Sequence, residues 1–229
     1  MAHFRLSELH RRQRYKLIAG AIVPRPIALV TTQNADGGCN AAPFSAFNYV
    51  SEDPPLVVLG LQVHDDDGPR SGEIKDTTRN ILRTSEFVIN LMDEDLLVDM
   101  VGCATDFPAG MSETAAVGLE LVASLEVAPP RIARSPFALE CRTKELLHFS
   151  AHRAVLIGEV LSVYVRDDVI DTETLNIDLA RYRPIGRLFG SLYCKTREIV
   201  SCATMDYESW RRQRERAATK KKRGPKAAP

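Results

Sequence analysis

Residues 23–55 constrain the fold most strongly, because they contain two extended runs separated by a tight turn. Residues 27–32 (IALVTT) are apolar and rich in β-branched side chains, as is typical of a buried strand. Residues 34–38 (NADGG) supply Asn, Asp and Gly, the residue types that accept the positive φ of a hairpin turn. The sequence therefore predicts a β-hairpin whose second arm begins near residue 40.

The second arm, residues 40–50, is unusual for a strand because it mixes Asn40, Ser45 and Asn48 with small and aromatic side chains. Pro43 has no backbone N–H and so removes one donor from any ladder. Such a segment leaves backbone N–H and C=O groups unpaired beside small side chains, and a flat ligand can lie against it. An edge strand with ordinary polar residues is the alternative, and the local composition is compatible with both interpretations.

Residues 75–83 (KDTTRNILR) predict the start of a helix, with Asp76 as its N-terminal cap. A helix N-terminus presents unpaired N–H groups and the positive end of the helix dipole, and both favour phosphate binding. Charge-assisted and hydroxyl hydrogen bonds to such a phosphate can come from Lys75, Thr77, Thr78 and Arg79. We do not assign Asp76 as a ligand, because its carboxylate would repel a phosphate unless it caps the helix and faces away. An ordinary capped surface helix is the alternative.

The sequence contains no pattern that predicts a metal site. Its five cysteines include no C-x-x-C pair, so we expect free thiols in a reducing cytoplasm. The three aspartates at 65–67 show no EF-hand spacing, which favours a solvated loop. His148 and His152 have H-x-x-x-H spacing, but they span a strand end and a turn and have no third ligand nearby.

The formal net charge of zero conceals an uneven distribution. Residues 211–229 contain nine Lys or Arg and one acid, whereas residues 1–210 contain 21 basic and 29 acidic residues. This basic tail has no apolar face, which predicts a disordered, solvated segment. Contact with an acidic partner or nucleic acid is the alternative. We do not expect nucleic-acid binding, because no interleaved aromatic residues or recognition fold accompany the basic run.

Five blocks of sequence together resemble a known family. They are PRPIALVTT, NAAPFSAFNYVSEDPP, KDTTRNILRTSEFVINL, HFSAHRAVLIGEVLSVYV and YRPIGRLFGSLYC. In these blocks, and in their order, the chain resembles the flavin reductase-like family built on the FMN-binding split barrel. That family includes the reductase components of two-component monooxygenases and flavoredoxin-like proteins. The resemblance extends over about residues 18–193.

The resemblance implies a mainly β fold, an FMN-binding split β-barrel with Greek-key topology, six strands and a few peripheral helices. We expect this domain to occupy residues 18–210, after an N-terminal lead-in at residues 1–17 and before the basic tail at 211–229. No apolar run approaches the ~20 residues of a membrane span, and the N-terminus lacks the apolar core of a secretory signal. We therefore expect a cytoplasmic protein without a membrane segment.

The resemblance also implies a function. We expect an FMN-binding flavin reductase that transfers hydride from NADH or NADPH to flavin. It would form a homodimer and supply a flavin-dependent monooxygenase or an electron-transfer partner. His152 matches a histidine that lies near the flavin in this family, which implies a catalytic role. The cofactor-binding residues implied are Thr31, Thr32, Asn40, Pro43, Phe44, Ser45, Ala46, Asn48, Lys75, Thr77, Thr78 and Arg187.

Two other functions are compatible with the sequence. One is a flavoredoxin-like electron carrier that keeps the flavin but is reduced by another protein. The other is a non-enzymatic binding module whose functional part is the basic tail. Because no G-x-G-x-x-G follows a strand, the chain has no Rossmann nucleotide-binding domain, and a nicotinamide nucleotide would have to bind in an open groove.

Overall fold

The computed structural model of the chain describes residues 1–64, 70–105, 107 and 111–222, with side chains described as far as residue 215. The aspartates at 65–67 and the end of the basic tail, residues 223–229, lie outside this described part. Two units are present, one comprising Met1–Arg197 and the other beginning at Glu198. None of the helices in the described residues combines the length and apolar composition needed to cross a membrane.

The first unit contains all of the β-structure and most of the helices. Its strands are β1 Ala28–Gln33, β2 Cys39–Phe44, β3 Phe47–Glu52, β4 Pro55–Gln62, β5 Glu86–Leu91, β6 Leu121–Val122, β7 Arg131–Ile132, β8 Phe137–Ser150, β9 Arg153–Val165, β10 Ile185–Arg187 and β11 Tyr193–Lys195. Its helices are α1 Arg11–Ala21, α2 Asp76–Thr84, α3 Leu97–Gly102 and α4 Glu113–Val117. The second unit contains α5, Tyr207–Lys222.

The hairpin predicted around residues 34–38 is confirmed. Strands β1 and β2 pair in antiparallel register, with Val30 opposite Ala42. In the turn, Asn34 N–H donates to the Gly38 carbonyl at 2.8 Å, and Gly37 adopts the positive φ of 87° that glycine accepts without strain. The strand prediction for residues 27–32 therefore holds to within one residue at each end.

The predicted mainly β class is confirmed, with one difference in the strand count. Seven antiparallel strands form the main sheet in the order β2-β1-β5-β8-β9-β4-β3, rather than six strands in a closed barrel. Among the described residues no ladder joins the edge strands β2 and β3. Only Ser45 and Ala46 separate these two edges in the chain, so the sheet must curve back on itself. Gly60 N–H donates to the Ala46 carbonyl at 2.7 Å at this junction.

Side chains from several strands fill the space that the curved sheet encloses. Val30, Leu59, Phe87 and Leu156 belong to one buried cluster, although they come from β1, β4, β5 and β9. Phe87 is completely buried and requires a glycine opposite it, because a Cβ at Gly158 would lie 2.5 Å from the Phe87 ring. Burial of this apolar surface is the main stabilising contribution to the curved sheet.

The sequence predicts disorder for residues 211–229, but helix α5 extends into this segment as far as Lys222. Helix α5 begins at Tyr207, before the basic run that starts at Arg211, and ion pairs between its side chains extend into that run. Arg211 forms an ion pair with Glu208 at 3.0 Å and approaches Glu215 at 3.9 Å. Pairs at these helical spacings, together with residues of good helix propensity, favour helix even where no apolar face exists.

Candidate functional site

A cavity of about 460 Å³ lies beside the edge strand β2 and the N-terminus of α2. Segments that are far apart in sequence form its wall. The lining residues are Tyr15, Asn40, residues 42–46, Gly60, Gln62, His64, Arg70, Lys75, Asp76, Thr77, residues 103–105, Phe107 and Glu113. A volume of this size is typical of small-molecule and cofactor sites.

Strand β2 and the junction after it form one wall of the cavity. Asn40, Pro43, Phe44, Ser45 and Ala46, all predicted cofactor-binding residues, line it. Within the part of the chain that the structure describes, β2 pairs only with β1, so its other edge has no ladder partner. Small side chains keep this wall flat and close to β4, because a Cβ at Gly60 would lie 2.7 Å from the Ala46 Cβ. This wall can therefore accept a flat ring system.

The N-terminus of α2 forms the polar end of the cavity. Lys75, and not Asp76 as predicted, is the N-cap residue, with φ −62° and ψ 148°. Among the described residues no side chain caps the helix, which leaves its first N–H groups available to a ligand. The Lys75 side chain forms no ion pair or hydrogen bond with the described residues. A cation at a helix N-terminus is destabilised unless an anion accompanies it, which makes this end suited to a phosphate.

Asp76 does not cap the helix because its carboxylate is bound by two arginines. Arg70 donates to both Asp76 oxygens at 3.0 Å, and Arg79 also donates to Asp76. Hydrogen bonds from Arg70 are the main reason that the pKa of Asp76 lies below its usual value. The carboxylate therefore stays ionised and its charge is neutralised locally, which removes the expected repulsion of a phosphate.

Three polar side chains form a connected group in the cavity wall. The Asn40 amide lies between the Thr77 hydroxyl, 2.9 Å from Oγ1, and the Glu113 carboxyl group, 3.3 Å from Oε1. Glu113 Oε2 accepts a hydrogen bond from the Ala41 N–H at 3.2 Å. Burial is the largest cause of the raised pKa of Glu113, and hydrogen bonds to backbone N–H groups oppose it. Asn40 and Thr77 are each more than nine-tenths buried, so this group is rigidly held.

The sequence of the domain that forms this cavity matches a known family. Residues 20–186 match the family model of the flavin reductase like domain, which is most of the chain. The chain belongs to the flavin reductase-like family.

Solved structures support this assignment, two by both sequence and fold and a third by fold alone. 2-Nitrobenzoate 2-nitroreductase of Pseudomonas fluorescens is 40% identical, with a TM-score of 0.80 over 90% of this chain and 98% of its own. Nitrilotriacetate monooxygenase component B of Bacillus cereus is 29% identical, with a TM-score of 0.82 over 88% of this chain and 98% of its own. A split barrel domain from Shewanella frigidimarina, 21% identical with a TM-score of 0.74 over 90% of this chain and 100% of its own, shows the same fold.

The cavity of this flavin reductase-like protein fits the flavin that its family implies. The flat wall along β2 suits a planar ring, and the uncapped end of α2 with the unpaired Lys75 suits a phosphate. The two thiols beside the cavity do not add nucleophilic chemistry. Burial raises the pKa of Cys39 and of Cys103 to about 12, so both remain protonated. The described residues include no group of three or more His, Cys, Asp or Glu arranged to hold a metal ion.

Thr31 and Thr32 do not line the cavity, although they were predicted to bind the cofactor. Both are completely buried, because β1 lies inside the sheet between β2 and β5. Thr31 Oγ1 donates to the Pro130 carbonyl at 2.6 Å, and Thr32 Oγ1 accepts from Asn80 Nδ2 at 3.1 Å. Their hydroxyl groups therefore stabilise the protein interior and cannot reach a ligand directly.

Four other predicted residues also lie away from the cavity wall. Asn48 lines a second, apolar groove beside β3, and the Thr78 hydroxyl is buried without a partner in the described structure. Arg187 donates to the Tyr193 hydroxyl and the Gly190 carbonyl, so its guanidinium is occupied within the β10–β11 hairpin. His152 is exposed in the turn between β8 and β9.

Sequence reasoning missed several lining residues, notably Arg70, Gln62, His64, Tyr15 and Glu113. The first three flank the aspartates at 65–67, for which the sequence predicts a solvated loop. Glu113 meets Ala41, 72 positions earlier in the chain, and local sequence patterns carry no signal at that separation. Local sequence patterns also do not show that Arg70 donates to both carboxylate oxygens of Asp76, although the two residues are only six positions apart.

Proposed function

We propose that the protein is an NAD(P)H-dependent flavin reductase that binds FMN in the cavity beside β2. The observation that carries this proposal is the combination, in one cavity of the described structure, of a strand edge without a ladder partner and a helix N-terminus with an uncommitted lysine. When bound, the flavin supplies the hydride-accepting chemistry. The protein contributes the binding, the orientation and the electrostatic environment.

Each wall of the cavity has a distinct role in this proposal. Backbone groups and small side chains of residues 42–46 hold the ring, and fixed N–H donors there favour the negative charge that reduction adds. Lys75 and the first N–H groups of α2 hold the phosphate. Thr77 acts through Asn40, because its hydroxyl is engaged with that amide. A phosphate monoester matches a site with one uncommitted cation, which favours FMN over FAD.

We propose that the reduced nicotinamide nucleotide approaches along the end of β9. Arg153 pairs with the cavity-lining Gln62, so His152 lies one residue from the strand end that borders the cavity. This position supports the catalytic assignment of His152 as a residue near the nicotinamide rather than at the flavin phosphate. If Arg187 binds the cofactor, its guanidinium must release the Tyr193 hydroxyl and the Gly190 carbonyl.

We also propose a homodimer that covers the second groove. This groove has a volume of about 630 Å³ and is mainly apolar, with Leu56, Val57, Val160 and Val163 among its lining residues. A contiguous apolar groove on a protein surface is compatible with a protein interface, which supports this proposal. A flavin-dependent monooxygenase is the proposed acceptor of the reduced flavin, in line with the relative named nitrilotriacetate monooxygenase component B.

Reduction of a nitroaromatic acid is a second candidate function. The observation that favours it is the 40% identity to the protein named 2-nitrobenzoate 2-nitroreductase, over 90% of this chain. In this case the flavin stays bound, and the nitro compound takes the place of a diffusing flavin as electron acceptor.

Steady-state oxidation of NADH and of NADPH tests both candidates. We expect added FMN to accelerate nucleotide oxidation in proportion to protein concentration. If FMN does not accelerate oxidation and 2-nitrobenzoate does, the nitroreductase is the correct function. If neither acceptor supports turnover while bound flavin is reduced by another redox protein, the electron-carrier alternative replaces both.

A further inference from the structure

Glu113 has a position in the cavity that flavin binding alone does not explain. Ser112 Oγ donates to the Cys39 carbonyl at 2.8 Å and so fixes the start of α4 against β2. Glu113 follows directly and lines the cavity, with Oε2 accepting from the Ala41 N–H at 3.2 Å. A carboxyl group therefore lies in the same cavity as the helix end where the phosphate is proposed to bind.

The charges around Glu113 leave it poorly compensated. Burial is the main cause that disfavours the ionised form of Glu113, and Asp76 disfavours it further. Arg70 favours the ionised form, but its guanidinium is bound to Asp76 through both carboxylate oxygens. The thiols of Cys39 and Cys103 face it from β2 and from the end of α3, and both are neutral. The remaining titratable groups among the described lining residues are Lys75, His64 and Tyr15.

A phosphate adds negative charge to a cavity that already holds two carboxyl groups. Arg70 and Lys75 carry the positive charges on the wall and Asp76 and Glu113 the negative ones, and Arg79, outside the wall, also contacts Asp76. A phosphate monoester brings about 1.5 to 2 further negative charges at neutral pH. Asp76 cannot be neutralised by a proton, because Arg70 holds its pKa low. Glu113 is the carboxyl group whose protonation relieves the excess.

The Asn40 amide allows Glu113 to change its protonation state without loss of hydrogen bonds. With Glu113 ionised, the amide nitrogen donates to Oε1 at 3.3 Å and the amide oxygen accepts from Thr77 at 2.9 Å. With Glu113 protonated, the amide turns over. Its nitrogen then donates to Thr77 Oγ1 at 2.9 Å and Thr32 Oγ1 at 3.4 Å, while its oxygen accepts the carboxyl proton. Both states can therefore be hydrogen-bonded, with a small approach of the carboxyl group to the amide in the protonated state, because an O–H···O bond is shorter than 3.3 Å.

We propose that flavin phosphate binding is coupled to the uptake of one proton by Glu113, with Asn40 as the amide that accommodates both states. This inference rests on the proposed function, since it concerns the same cavity. The proton comes from solvent and adds to a carboxylate oxygen, and no other bond changes. Flavin affinity then falls as the pH rises and Glu113 becomes harder to protonate.

The test compares flavin dissociation constants, measured by flavin fluorescence, between about pH 5 and pH 9. The variants are Glu113→Gln and, as a matched control, Glu120→Gln, an exposed carboxylate outside the cavity. The Kd of the unsubstituted protein for FMN should rise by up to about tenfold per pH unit on the alkaline side. Glu113→Gln should lose this rise and bind FMN more tightly than the unsubstituted protein at the highest pH. Glu120→Gln should retain it.

Riboflavin, which lacks the phosphate, and calorimetry complete the test. Riboflavin binding should depend on pH less than FMN binding in the unsubstituted protein. At about pH 8 the FMN phosphate is fully ionised, so titrations in buffers of different ionisation enthalpy should show proton uptake by the protein. This calorimetric measurement uses the unsubstituted protein, so it does not depend on whether a variant folds. An equal pH dependence in Glu113→Gln, or no proton uptake at that pH, would overturn the inference. A protein that binds FMN at no pH would instead refute the proposed function.

Discussion

Replacement of Lys75 by alanine tests the proposed phosphate site most sharply. Lys75 is the N-cap residue of α2, lines the cavity and has no polar partner among the described side chains. Arg70 and Arg79 cannot replace it, because Asp76 binds both of them. The variant therefore removes the uncommitted positive charge from that end of the cavity and breaks no ion pair in the free protein.

The expected loss follows from the interaction that is removed. A hydrogen bond between charged groups contributes about 1.5 to 3 kcal/mol, so the Kd for FMN should rise by about 10- to 150-fold. The N–H groups of α2 remain, so binding should weaken and not disappear. Riboflavin affinity should stay within about twofold, since riboflavin has no phosphate for Lys75 to contact.

Fluorescence titration with FMN and with riboflavin measures both effects in the same preparation. Lys144→Ala is a suitable control, because Lys144 lies on β8 outside the cavity and pairs with Glu159 at 3.0 Å. Equal losses for FMN and riboflavin would mean that Lys75 supports the ring or the fold. An unchanged FMN affinity would refute the phosphate site.

Three other variants have defined outcomes. Arg70 holds the pKa of Asp76 below the ordinary 3.8, so the ionised carboxylate stabilises the fold above that pH. Asp76→Asn should therefore have a lower free energy of unfolding than the unsubstituted protein at pH 7. In denaturant titrations, this difference should shrink as the pH falls through the lowered pKa. Gly158→Ala should lower the free energy of unfolding by about 1–3 kcal/mol, because its Cβ would meet the Phe87 ring at 2.5 Å, and a neutral result would contradict the packing. Gly20→Ala is its control, since Phe189 lies 3.7 Å away in ordinary contact and alanine favours helix α1. Removal of residues 211–229 should leave flavin reduction unchanged; if it abolishes retention on an acidic partner, the binding-module alternative gains support.

The parts of the site that sequence reasoning could find are those encoded locally. The run from Asn40 to Ala46 showed small side chains and an internal proline, and these features do mark an edge strand along the cavity. The stretch beginning at Lys75 carried the composition of a helix start, and the helix does begin there. In each case the signal and the structure involve neighbouring residues.

The predictions that differ from the structure depend on contacts between distant residues. Thr31 and Thr32 looked accessible because sequence cannot show that β1 has strands on both sides. Asp76 looked like a cap because its bidentate partner, Arg70, was not evident. Arg187 looked free to bind a cofactor because its bonds to Tyr193 and Gly190 depend on the hairpin that they stabilise.

The central claim is that this protein binds a flavin and reduces it with a nicotinamide nucleotide. An anaerobic visible absorption spectrum of the purified protein with FMN, recorded before and after addition of NADH and then NADPH, tests it directly. We expect flavin bands that shift on binding and bleach rapidly with at least one nucleotide. A protein that neither perturbs the FMN spectrum nor accelerates its bleaching would contradict the account.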